Sequence, residues 1–461
     1  MAGFTAVILA AGEGTRMKSG IPKVLHKVCG YPMLFHVINS AKKAKADKIV
    51  VVVGKGAGEV KKAFQDEGVE FVLQAEQKGT GHALLQAKEA VKGSENLIVL
   101  YGDMPLIEPD TIERLFEFHI ERQPAATVLT CIFDNPYGYG RIIRENEKVI
   151  AIREEKDASE EEKLIKEINS GIYCFNTEKV FSALKKVRND NRQGEYYLTD
   201  VVEILNSEGE EVLAFKVENS DEVQGINDRV QLSKAQTIMQ RKIIEALMKE
   251  GVTFINPESC VVDMRVKIGR DTVIYPNVVI EGETEIGENC TIVGNTVIRN
   301  SKIGNNVEIS ASFIAESEIG DGAKIGPFAN LRPGTKICKN VKIGDFVEIK
   351  NSSIGEGTKV PHLSYIGDAE IGEKVNIGAG VIFVNYDGYK KHKTVVKDKA
   401  FIGCNSNLIA PITVEEGAYV AAGSTLTKDV PSKALAIARA MQENKLGWVE
   451  KRKKLFEGGE N

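Results

Sequence analysis

The sequence predicts two domains of different class: an α/β domain over residues 1–227 and a three-sided parallel β-solenoid over residues 252–461. Three observations lead there. An aliphatic side chain recurs every six residues between Val266 and Leu426, as at Ile268, Ile274, Ile280, Ile286, Ile292 and Ile298. Glycine often follows it, as in Ile268-Gly269, Ile286-Gly287, Ile343-Gly344 and Ile377-Gly378. Ahead of this repeat, short apolar runs alternate with segments of helical periodicity.

A six-residue period fits neither a helix nor strand alternation. It suits one flat side of a coil, and three such sides close a turn. The aliphatic residue points into a narrow core, and the small residue after it lets the backbone turn the corner. Stacked coils pair with one another, so only the two ends expose strand edges. The repeat implies roughly nine coils, about 40 Å of prism at ~4.8 Å per coil. The beat breaks near Val384–Val395 and resumes at Ile402, Leu408, Val414, Val420 and Leu426, so a segment loops out there. A sandwich with accidental spacing would not hold one period over so many repeats.

In the first domain Thr5–Ala10, Ile49–Val53 and Leu97–Leu100 are strand-like, and Met33–Lys45, Glu59–Gln65 and His82–Val91 carry helical patterns. This alternation gives a mostly parallel sheet with helices on both faces. Ligands of such sheets bind beyond the carboxyl ends of the strands. Apolar residues at helical spacing from Asp228 to Lys249, stopped by Gly251, make residues 228–251 a connecting helix.

The bulk composition excludes several classes. Of 461 residues 27% are charged and 43% hydrophobic, with a net charge of −5 and one short basic run, Lys451–Lys454. That argues against nucleic acid as a partner. No run approaches the length of a membrane span, so no membrane partner is expected. Seven cysteines, at 29, 131, 174, 260, 290, 338 and 404, are dispersed and odd in number, which suits a reducing, cytoplasmic setting.

The unusual residues follow the apolar runs. Leu9-Ala10-Ala11-Gly12-Glu13-Gly14-Thr15-Arg16-Met17 leads to Pro22-Lys23. Gly12 and Gly14 let backbone N–H groups approach a phosphate, and Arg16 and Lys23 add positive charge. No Gly-Lys-Ser/Thr follows, so this is not a Walker loop, and Met17 replaces the third glycine of a dinucleotide fingerprint. Taken alone, the loop is as readily a tight turn.

With Gln74-Ala75-Glu76-Gln77-Lys78-Gly79-Thr80-Gly81-His82 and Tyr101-Gly102-Asp103-Met104-Pro105, the loop resembles the signature of sugar-nucleotide pyrophosphorylases. The repeat resembles the left-handed β-helix of hexapeptide acyltransferases, an exception to right-handed crossover. Together, nearly the whole chain is similar to the bacterial bifunctional N-acetylglucosamine-1-phosphate uridylyltransferase/glucosamine-1-phosphate acetyltransferases. The resemblance implies a Rossmann-like nucleotidyltransferase domain followed by a left-handed parallel β-helix.

It also implies roles. Leu9, Ala10, Gly12, Gly14 and Lys23 would hold UTP, with Gln74, Gly79 and Thr80 at the uracil. Gly140, Glu154 and Asn169 would hold the sugar. Asp103 and Asn227 would bind Mg²⁺, a hard cation that leaves room for phosphates. Asp103 taken alone is equally a turn cap, and Asn227 or Asp228 can cap the following helix. A sugar-1-phosphate is close to a dianion and needs no general base. Proximity and charge neutralisation suffice, with Arg16 and Lys23 on the leaving pyrophosphate. His26, His36, His82 and His119 are then structural.

In the β-helix the resemblance makes His362 the general base toward the sugar amine, since imidazole titrates near neutrality. Arg332 and Lys350 would hold the sugar phosphate, with Tyr365, Asn376, Asn385 and Tyr386 around the sugar. Ala379, Cys404, Ala422 and Arg439 align with acetyl-CoA contacts, and Cys404 departs from the serine common there. The thiol is the weaker hydrogen-bond donor. Singly, each of these is a solvated corner residue. The resemblance further implies a homotrimer with sites between prisms. The tail from Gln442 to Phe456 is a short helix on a neighbour or a solvated tail. Alternative readings are a pyrophosphorylase for another sugar whose β-helix serves assembly, and a non-catalytic exchange-factor-like subunit. The latter would lack the Arg16, Lys23 and Asp103 set.

Overall fold

The computed structural model describes residues 3–457. It divides into two compact units, Met1–Lys242 and Ile243–Asn461. The division falls inside the helix Arg229–Lys249. Gln236 of this helix accepts from the Cys29 backbone N–H (2.7 Å), while Ile244 and Leu247 join the core of the second unit.

The first unit is a nine-stranded sheet. Glu70–Leu73, Lys48–Val53, Phe4–Ala10 and Asn96–Tyr101 run parallel in that spatial order. All seven residues of Phe4–Ala10 are buried. Alternate side chains enter two separate cores, with Ala6 and Ile8 on one side and Val7 and Leu9 on the other. That two-sided burial is why the strand is apolar throughout. The parallel expectation holds here and for Val212–Val217 beside Ala126–Ile132. Glu167–Asn176 runs antiparallel to both its neighbours, because the chain reaches it through the hairpin Arg141–Glu145/Lys148–Arg153 and not through a helical crossover.

The second unit is three stacked parallel sheets of eleven, ten and nine strands, here faces one, two and three, the arrangement of a left-handed β-helix of hexapeptide repeats. The coil count exceeds the expected nine because pairing starts at Thr253–Phe254, before the first regular repeat, and ends at Leu435–Ala436. Ile280, Ile298, Ile314, Leu331, Ile349 and Ile366 stack on face two, fully buried. The break in the beat is a loop between Ile382–Val384 and Thr394–Val396, closed by a Tyr386–Lys391 bridge. The Asp387 carboxylate holds it together, accepting from the N–H groups of Tyr389 and Lys390 (2.8 Å each) and from His392 Nε2 (2.6 Å). Trp448–Glu457 is a helix whose side chains are exposed.

Candidate active sites

At the carboxyl ends of the parallel strands lies a cavity of about 440 Å³. Leu9, Ala10, Gly12, Lys23, Gln74, Gly79, Thr80 and Asp103 line it, together with Gln77 and Tyr101, which stand in the sequence motifs without an assigned role, and Glu195, which was not singled out from sequence. Gly79 has φ 104°, and a Cβ there would meet the Tyr196 carbonyl at 2.6 Å, so the turn admits only glycine. The Gln74 amide donates to Gly79 O (3.2 Å) and meets His82 Nδ1 (3.0 Å), which leaves its oxygen as an acceptor toward the cavity.

Lys23, Asp103 and Asn227 converge. The Lys23 ammonium pairs with Asp103 Oδ2 and donates to Asn227 Oδ1 at 2.6 Å, across 204 residues of sequence. The Ile226 N–H donates to Asp103 O (2.9 Å), tying the Asn227 loop to the strand end. Asp228 is the helix cap, accepting from the N–H groups of Val230 and Gln231 (2.9 and 2.8 Å). The Asn227 side chain is therefore not used as the cap.

Other expected residues do not line this cavity. Arg16 is exposed on the one-turn helix Thr15–Met17, behind left-handed Gly14, and neither lines the cavity. Gly140 and Asn169 adjoin each other through Asn169 N–H to Gly140 O (2.8 Å). Glu154 lines a separate hollow with Asp157, Tyr197 and Asp200. Burial raises the Glu154 carboxyl above the usual range, and Asp157 and Asp200 add to the shift. One segment missed from sequence joins these parts. Tyr196 exchanges backbone bonds with Lys78 and Gly81 (2.8 and 2.9 Å), and Leu198 N–H donates to Thr80 Oγ1 (3.1 Å). Thr199 Oγ1 then donates to Glu154 Oε1 (3.4 Å). His36 and His119 are buried, which lowers both, His119 to about 4.

In the solenoid, His362 ends a face-one strand directly above Asp345, and its Nδ1 lies 2.6 Å from Asp345 Oδ1. That hydrogen bond holds the Asp345 carboxyl below its usual range. Asp345 was not expected from sequence, although its separation of 17 residues is one coil. Above His362 the same corner carries Ala379, Cys404 and Ala422. Asn405 N–H donates to Ala379 O and Gly423 N–H to Cys404 O, each at 2.8 Å, so successive turns stack. A Cβ on Gly378 would lie 2.6 Å from Cys404 N, and one on Gly403 would lie 2.5 Å from Ala422 N. Small residues thus let the coils stack closely at this corner, where Cys404 is exposed and Arg439 lies beside Gly423.

Arg332, Lys350 and Asn385 occupy the next corner, at the end of face two. Arg332 pairs with Glu348 (2.8 Å). Asn385 donates to Asp368 Oδ2 (2.5 Å). Tyr365 reaches toward this corner, its hydroxyl 2.5 Å from where a Gly367 Cβ would sit. Lys391, also unexpected, comes from the looped-out segment, and the Lys350 ammonium beside it pushes it below the usual lysine range. Two adjacent cations suit an anion. Tyr386 is turned to Gly388 O (2.6 Å), and Asn376 sits at the start of face one, away from His362. His362 and the Arg332–Lys350 pair therefore stand at different corners of one prism.

Residues 6–192 match the MobA-like NTP transferase domain, and residues 265–300 and 316–351 match the bacterial transferase hexapeptide (six repeats). The bifunctional protein GlmU of Alkaliphilus metalliredigens (strain QYMF) is 53% identical over 448 residues, covering 97% of this chain and 98% of that one. Those of Clostridioides difficile (strain 630) and Listeria monocytogenes serotype 4a (strain HCC23) are 53% and 52% identical, covering 97% and 96% of this chain and 98% of each relative. With this identity over nearly its whole length, the chain belongs to the GlmU family of bifunctional transferases.

Proposed function

We propose that the solenoid transfers acetyl from acetyl-CoA to the 2-amine of glucosamine-1-phosphate. The α/β unit then couples N-acetylglucosamine-1-phosphate to UTP, releasing pyrophosphate and giving UDP-N-acetylglucosamine. The observation that carries this reading is one chain holding both the Lys23–Asp103–Asn227 cluster and the Asp345–His362 corner with the small residues stacked above it.

In acetyl transfer, Asp345 fixes the Nδ1 side of His362, so Nε2 faces the amine and takes its proton as the amine attacks the thioester. The Ala379 N–H, which donates to no group among the described residues, would meet the thioester oxyanion. Arg332, Lys350 and Lys391 neutralise the sugar phosphate. Because His362 and this basic set lie at different corners, the site is completed between neighbouring copies, which favours a homotrimer.

In uridylyl transfer, Gln74 offers its amide oxygen to the base, and Gly12 and Lys23 meet the phosphates. The oxygens of Asp103 and Asn227 fit Mg²⁺: both are hard donors, they already converge on one cation, and a single carboxylate leaves positions for phosphates and water. Bound there, the ion would neutralise phosphate charge. No helix of the described residues is long and apolar enough to cross a membrane, and we place the enzyme in the cytoplasm. Mass spectrometry of products from glucosamine-1-phosphate, UTP and Mg²⁺ tests the function: UDP-N-acetylglucosamine must appear only when acetyl-CoA is added. Its appearance from no acyl donor, or its absence with one, contradicts the reading.

A further inference from the structure

We infer that Lys23 is a built-in placeholder cation: without metal its ammonium occupies the position between Asp103 and Asn227, and a divalent ion enters only by displacing it. This rests on the reading that Asp103 and Asn227 are the metal ligands.

The two oxygens are held toward one point from the protein side. The Asn227 side-chain amide donates to Gly225 O (3.4 Å), which turns Oδ1 the other way, and the Ile226 N–H to Asp103 O (2.9 Å) ties the two backbones together. A carboxylate and an amide oxygen brought this close call for a cation. Among the described residues, Lys23 is the one cation paired with Asp103. The Lys23 and Asp103 side chains are only 11% and 18% exposed, so water does little of this work. The Lys23 stem lies against Gly14, where a Cβ would meet Lys23 Cβ at 2.6 Å. The glycine of the phosphate loop thus leaves room for the lysine to lie there. An ammonium and a divalent ion cannot share the two oxygens, since like charges at contact repel. Metal entry and lysine release are therefore one event, which frees the ammonium for phosphate oxygens as the ion arrives.

The test uses the full chain without nucleotide and Mn²⁺ as the probe, a spectroscopic ion for hard oxygen sites. Paramagnetic resonance should show Lys23→Met binding Mn²⁺ about tenfold tighter than wild type, because the competitor is gone. Asp103→Asn should lose the site. On the wild-type protein, acylation by an amine reagent read by mass spectrometry should find Lys23 protected without metal and labelled faster with saturating Mn²⁺. Equal or weaker Mn²⁺ binding by Lys23→Met overturns the inference, as does Lys23 labelling that ignores the metal. If no protein binds Mn²⁺ even with UTP present, the metal reading itself is overturned and the inference falls with it.

Discussion

The two units build their sites by opposite means. In the α/β unit, Lys23 meets Asn227 across 204 residues, brought together by loops at the end of a sheet. In the solenoid, Asp345 meets His362 across 17 residues, because each coil places the residue that ends face one in register with its counterpart in the coil before. A sheet end gathers side chains from anywhere, so each one is separately replaceable in evolution and separately essential in chemistry. A solenoid corner is a column, so a change at one level leaves the levels above and below in register.

The largest effects are expected at Asp103 and His362. Asp103→Ala should lower uridylyl transfer about 10³-fold or more while acetyl transfer continues, as separate rate assays on one preparation would show. His362→Ala should do the reverse, costing acetyl transfer about 10²–10⁴-fold. Asp345→Asn should cost the same step about tenfold or more, because the ring loses its orienting carboxylate. A drop in uridylyl transfer with either solenoid variant would mean that the units are not chemically independent.

Stability sharpens the contrast. Ile314 is fully buried in the column of face two, and Ile314→Ala should cost about 2–5 kcal/mol in denaturant unfolding of the solenoid. A smaller effect belongs to Asp200, which burial and the neighbouring Glu203 push up to about 6. A raised carboxyl binds its proton more tightly in the folded chain, so stability falls as pH rises from about 4 to about 6. Asp200→Asn removes that loss. It should raise the melting temperature near pH 7, and the gain should vanish below about pH 4. The smallest effect is expected from Cys404→Ser: a modest fall in the KM for acetyl-CoA with kcat unchanged, since the hydroxyl is the better donor.

Legibility in the sequence followed the same divide. The isoleucine–glycine beat announced the solenoid and its core, because a narrow prism repeats one steric demand per side. Asp345 was readable in principle, one coil before His362, but an aspartate at a solenoid corner has the look of any solvated corner residue. Lys391 lies in the segment outside the beat, where no period places it. In the α/β unit, Tyr196–Thr199 went unread because its bonds to Lys78, Thr80 and Gly81 run largely through backbone atoms, which side-chain identity does not announce. The antiparallel Glu167–Asn176 strand was hidden likewise, since strand direction depends on how the chain returns and not on its apolar content.

The central claim is that two chemically separable activities share this chain. Mixing separately purified Asp103→Ala and His362→Ala proteins with glucosamine-1-phosphate, acetyl-CoA, UTP and Mg²⁺ tests it most directly. Neither variant alone should yield UDP-N-acetylglucosamine. The first should accumulate N-acetylglucosamine-1-phosphate, and the mixture should restore the final product. A mixture that accumulates the acetylated sugar but never uridylylates it, or a His362→Ala protein that makes the final product unaided, would contradict the account.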